Sequence, residues 1–122
     1  PGGAARLEVD LLGRIRDHWI IVRDWLVWMR EMETREAEVR VRNRAGLHAR
    51  PAAELVKLAG SFQSEIHVEK GGLQVNGKSI MGVLMLAAEQ GSTLRFTASG
   101  PDSEEALAAL IGLVRRGFQE EE

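Results

Sequence analysis

The 122-residue chain is 44% hydrophobic and 28% charged, with a formal net charge of −2. That balance fits one globular domain with a real core and excludes the strong whole-molecule field of a nucleic-acid or membrane-surface binder. The absence of cysteine excludes disulfides, thiol catalysis and thiolate-held metal, and it fits a reducing, cytoplasmic setting. His18, His48 and His67 are far apart in sequence and show no metal-ligand spacing. No P-loop, dinucleotide fingerprint or zinc signature is present. Neither a metal nor a cofactor is therefore expected, and a protein of this kind that handles phosphate receives it from another protein.

Residues 1–31 differ in character from the rest. Pro1-Gly2-Gly3 reads as a linker, and all three tryptophans lie downstream of it at Trp19, Trp25 and Trp28. Ile15, Trp19, Val22, Leu26 and Met29 step by four, three, four and three, which predicts a narrow amphipathic helical stripe. A strand remains the alternative, because Ile20-Ile21-Val22 and Trp25-Leu26-Val27-Trp28 are β-prone. Arg14, Arg16, Asp17, Arg23 and Asp24 interrupt the segment, so it falls short of the roughly 20 apolar residues a membrane span needs. The stripe covers another surface of the chain, lies loose, or pairs with a second copy. Self-association through residues 11–29 is the preferred expectation.

From Arg35 a strand pattern begins, with Ala37, Val39 and Val41 alternating with Glu36, Glu38, Arg40 and Arg42. Asn43 and Gly46 are turn formers, and Pro51 marks the first turn of a helix whose Ala52, Leu55, Val56 and Ala59 share one face. Gly60 is expected to close that helix. His48 then falls at the N-cap, with the amides of Ala49 and Arg50 directed outward. Unpaired helix-start amides attract anions, and the Arg50 guanidinium suits phosphate. An ordinary solvated cap is the plainer account of a lone histidine at such a junction. Phe62, Ser64, Ile66 and Val68 alternate with Gln63, Glu65, His67 and Glu69, predicting a second strand with His67 on its wet face. Gly71-Gly72 predicts a tight turn into a short third strand at Leu73 and Val75.

Ser79 precedes the apolar run Ile80-Met81-Gly82-Val83-Leu84-Met85-Leu86-Ala87 and is a natural N-cap for a short helix. Leu94, Phe96 and Ala98 alternate with polar residues in a fourth strand. The last helix opens on Pro101, Asp102, Glu104 and Glu105, as its dipole favours, and presents Leu107, Leu110, Ile111, Val114 and Phe118 on one face. The order β-α-β-β-α-β-α, with strands of alternating polarity, predicts an α+β open-faced β-sandwich. A four-stranded antiparallel sheet would be covered on one face by helices, with the N-terminal helical extension outside it.

Gly46-Leu47-His48-Ala49-Arg50-Pro51-Ala52 resembles the active-site signature of HPr, the histidine-containing phosphocarrier of the bacterial phosphotransferase system. Gly77-Lys78-Ser79-Ile80-Met81-Gly82-Val83 is similar to that family's regulatory-serine motif. The resemblance divides the chain into residues 1–31, an extension of unknown role that it leaves unexplained, and residues 32–122, the phosphocarrier domain. It implies a stoichiometric carrier that bears a transient phosphohistidine on His48, rather than a stand-alone enzyme. Phospho-enzyme I would be the donor, an enzyme IIA domain the acceptor, and Arg50 the anion's support. It also implies control by an HPr kinase/phosphorylase at Ser79, and a partner-binding surface at Leu47, Ala49, Lys57, Ile80, Met81 and Leu84. Gly60 departs from relatives that carry a basic residue near it. A nitrogen-type regulatory paralogue with the same chemistry, and a non-catalytic domain that only binds regulators, are the alternatives. His48 and Arg50 speak against the last.

Overall fold

The computed structural model describes residues 33–119. The expected helix of residues 1–31 and the acidic tail Glu120–Glu122 lie outside the described residues. The elements run β1 (Thr34–Arg40), α1 (Ala49–Gly60), β2 (Glu65–Lys70), β3 (Leu73–Asn76), α2 (Ile80–Met85), β4 (Thr93–Ser99) and α3 (Ser103–Arg115). A short left-handed turn, Gly117–Gln119, follows α3. The four strands form one sheet in the order β1-β4-β2-β3, with every pairing antiparallel.

The strand alternation seen in the sequence becomes two chemically distinct sheet faces. Ala37, Phe96, Val68 and Val75 lie in one register row across all four strands and point toward the helices. The neighbouring wet-face row sets Arg95 between Glu38 and Glu69, at 3.2 and 3.5 Å. Phe96, Leu55, Ile66, Leu94 and Leu110 fill the space between sheet and helices and are fully buried. Gly71 and Gly72 have φ of +56° and +88°, the paired left-handed conformation a two-residue hairpin turn requires.

Several element ends differ from their expected places. β2 begins at Glu65, not Phe62, because the Gln63 and Ser64 amides bond the Asp102 carboxylate instead of a neighbouring strand, at 2.8 and 2.9 Å. Gly60 is the last residue of α1, and Ser61 caps it with ordinary right-handed φ. Phe118 is buried but is not helical: the chain reverses through Gly117 (φ +65°) and Phe118 (φ +58°), so the ring reaches the core from a left-handed turn. Leu113 supplies the core position on α3 that the expected face omitted.

Candidate functional site

The stretch before α1 is fixed at three points. The buried Asn43 side chain donates from Nδ2 to the Gly46 carbonyl at 2.7 Å, and the Gly46 amide donates back to the Asn43 carbonyl at 3.1 Å. Gly46 has φ +71°, and a Cβ there would sit 2.6 Å from the Ala88 carbonyl oxygen, so only glycine fits. The Leu47 amide donates to that same carbonyl at 2.7 Å. Leu47 is 4% exposed. Its expected place on the partner surface is therefore corrected: the side chain is part of the core and anchors the loop.

His48 follows at once, in extended conformation at the N-cap of α1, and its side chain makes no capping hydrogen bond. His48, Ala49 and Arg50 are exposed, while Pro51 and Ala52 turn inward. The first-turn amides have no acceptor within the helix, and the helix dipole adds partial positive charge. His48, Arg50 and the helix-start amides thus lie together at the exposed start of α1. Lys57 is exposed in the last turn of α1, about 12 Å along the axis from Ala49 by helix rise. It lies beyond reach of the imidazole and at most borders the same face.

Two further segments close this end. Arg42 donates to the Arg115 carbonyl at 3.0 Å, and Gln90 donates to the Arg42 carbonyl at 2.9 Å. Arg42, Arg44 and Arg115 are all exposed. Sequence reasoning missed this Arg42–Arg115 contact because the two residues are 73 positions apart. No group of three histidine or carboxylate side chains among the described residues is placed to hold a metal.

The Ser79 region is a separate construction. Asn76 turns the chain by accepting the Lys78 amide at 2.8 Å on its side chain. Ser79 is the N-cap of α2, and its hydroxyl accepts from the Gly82 amide at 3.1 Å. Gly82 lets α2 lie close to β3, since a Cβ there would be 3.2 Å from that of Val75. Ile80 and Met81 are exposed, as expected, at 40% and 69%. Leu84 is half-buried against the core, and Met85, not anticipated, is exposed. At the far end of α2, the Lys70 ammonium donates to the Leu86 and Ala87 carbonyls, each at 3.3 Å, a cation where the helix dipole is negative. His67 is partly exposed on the wet face and bonds Glu65 at 2.9 Å. No helix among the described residues is long and apolar enough to cross a membrane.

A family model described as the PTS HPr component phosphorylation site matches residues 35–116. The chain is 50% identical over 80 residues to phosphocarrier protein HPr of Cupriavidus necator, covering 66% of this chain and 90% of that one. It is 40% identical over 89 residues to phosphocarrier protein NPr of Proteus mirabilis, covering 72% and 99% respectively. Among solved structures, HPr-C-His from Thermoanaerobacter tengcongensis superposes with a TM-score of 0.70 at 45% identity, over 72% of this chain and 99% of that one.

Proposed function

The chain belongs to the HPr phosphocarrier family, and from that premise we propose that His48 accepts a phosphoryl group from phospho-enzyme I and passes it to enzyme IIA domains in phosphoenolpyruvate-dependent sugar uptake. The observation that carries this reading is the exposed imidazole at the start of a twelve-residue helix, on a loop pinned by Asn43, Gly46 and Leu47.

The chemistry asks little of the protein beyond position. An unprotonated ring nitrogen, Nδ1 by family resemblance, attacks phosphorus in line with the departing donor nitrogen. One P–N bond forms as the other breaks. The second ring nitrogen keeps its proton, and the phosphoryl oxygens gain the amides of the first turn and the Arg50 guanidinium. The corner is open to solvent, so the group is held weakly enough to leave. The reading extends to Ser79 as a phosphorylation site: a phosphate there would sit on the start of α2 beside Ile80 and Met81 and oppose docking by acidic partners.

Incubation with enzyme I and phosphoenolpyruvate is expected to place an acid-labile, base-stable label on the chain. No label, or a label that persists in His48→Ala, overturns the assignment. A second reading, service in a nitrogen-type system, is supported by the match to NPr over nearly all of that protein. Offering the labelled chain to sugar-type and nitrogen-type IIA domains decides between the destinations by which one drains the label faster.

A further inference from the structure

Methionine is ordinarily an interior residue. Met81 and Met85, the two within the described residues, are instead 69% and 66% exposed. They stand four positions apart on α2, so their thioethers share one stripe, with Cβ atoms about 6 Å apart. Packing does not require them there, because α2 turns Val83 into the core and lays Gly82 against Val75. Exposed Ile80 and half-buried Leu84 flank the pair, making an apolar patch beside the Ser79 cap. The chain has no cysteine, so methionine thioethers are the only sulfur it offers to an oxidant.

We propose that Met81 and Met85 form a reversible oxidation site through which peroxides weaken docking on α2; the inference rests on the carrier function proposed above. In the step, a sulfur lone pair attacks one peroxide oxygen. The S–O bond forms, the O–O bond breaks, and the second oxygen departs as water after taking the proton of the first. Sulfur loses two electrons and the peroxide gains them. The sulfoxide is strongly polar, and sulfoxide reductases with a thiol reductant reverse the change. A partner that buries this patch must then strip water from one or two sulfoxide oxygens without offering them a donor, which weakens docking on the order of tenfold. Ser79 and the peroxide site thus act on one surface by different chemistry, negative charge in one case and an uncharged dipole in the other.

The test treats the full chain with hydrogen peroxide, locates the added oxygen by peptide mass mapping, and measures phosphoryl acceptance from enzyme I before and after. A Met81→Leu, Met85→Leu double variant is run beside it, each protein being compared with its own untreated rate. Oxygen is expected on Met81 and Met85, with acceptance at limiting carrier slowed on the order of tenfold and restored by a sulfoxide reductase. The double variant, which retains Met29 and Met32, is expected to hold its own untreated rate. An oxidised parent that accepts at an unchanged rate overturns the proposal. So does a double variant that loses as much as the parent. An untreated chain that takes no phosphoryl group from enzyme I overturns the carrier function and this inference with it; an active chain indifferent to peroxide overturns this inference alone.

Discussion

At the start of α2 the Ser79 hydroxyl accepts the Gly82 amide; at the start of α1 the His48 side chain caps nothing. The backbone problem is the same in each case, since the first amides of any helix lack partners within it. A side chain solves it at α2, and the helix gains a defined start despite its six residues. At α1 the helix is long enough to stand without that contribution, and its first turn stays open to an incoming anion. The start of α3 is a third variation: Asp102 makes no cap bond of its own and turns its carboxylate to the Gln63 and Ser64 amides and the Ser64 hydroxyl. An uncapped helix start thus has two meanings here, and only the surroundings separate them. One faces solvent with an imidazole beside it, and the other ties two distant segments together.

The comparison is broken most directly by making α1 start as α2 does. His48→Ser is expected to abolish phosphoryl acceptance completely while stability rises by about 0.5–1 kcal/mol, read by urea unfolding beside the labelling assay. A loss of stability would mean that the imidazole supports the fold. Asp102→Ala comes next, with an expected cost of about 2–3 kcal/mol and no change in acceptance per folded molecule.

Asp102 also sets a pH dependence. Burial pushes its carboxyl up, but the Ser64 hydroxyl and the Gln63 and Ser64 amides outweigh that and hold it below the usual carboxylate range. Its contribution is therefore complete above the ordinary carboxylate pKa and is lost as pH falls through the lower folded value. Acid titration of the native chain should show this loss, and Asp102→Asn should flatten it.

Ser79→Ala is expected to cost about 1 kcal/mol, whereas Ser79→Asp keeps the cap and weakens binding of enzyme I. Equal affinity of Ser79→Asp and the native chain in a titration would show that charge at this helix start does not gate docking. Arg50→Ala is the mildest change, slowing transfer by about two- to fivefold, because the first-turn amides remain. Unchanged rates in both directions would make the guanidinium a bystander.

Local pattern carried most of this fold. Period-two alternation placed β1 and β4 within a residue or two, and the 52-55-56-59 spacing placed α1 with its buried face. Phe118 was misplaced because its four-residue step from Val114 continues a helical period that Gly117 in fact interrupts; periodicity reports which residues are buried and not how the chain brings them there. Leu47 was misplaced for a related reason. Flanked by Gly46 and His48 it reads as loop, and only the distant Ala88 carbonyl makes it an anchor. The Asp102 bonds to residues 38 and 39 positions away left no local trace. The places of His48 and Ser79 at helix starts were legible because N-cap patterns are local.

The pinned loop before His48 has a kinetic consequence. A phosphocarrier must meet one partner, leave, and meet another in every cycle. Were the Asn43–Leu47 segment loose, each encounter would have to freeze it again, and that lost entropy would need repayment through a tighter and therefore longer-lived complex. With Gly46 seated against Ala88 and Asn43 holding the Gly46 carbonyl, the backbone that carries the imidazole arrives already ordered. Complexes can then be weak without being misaligned, and residence times can stay short enough for one small protein to serve donor and acceptor in rapid alternation.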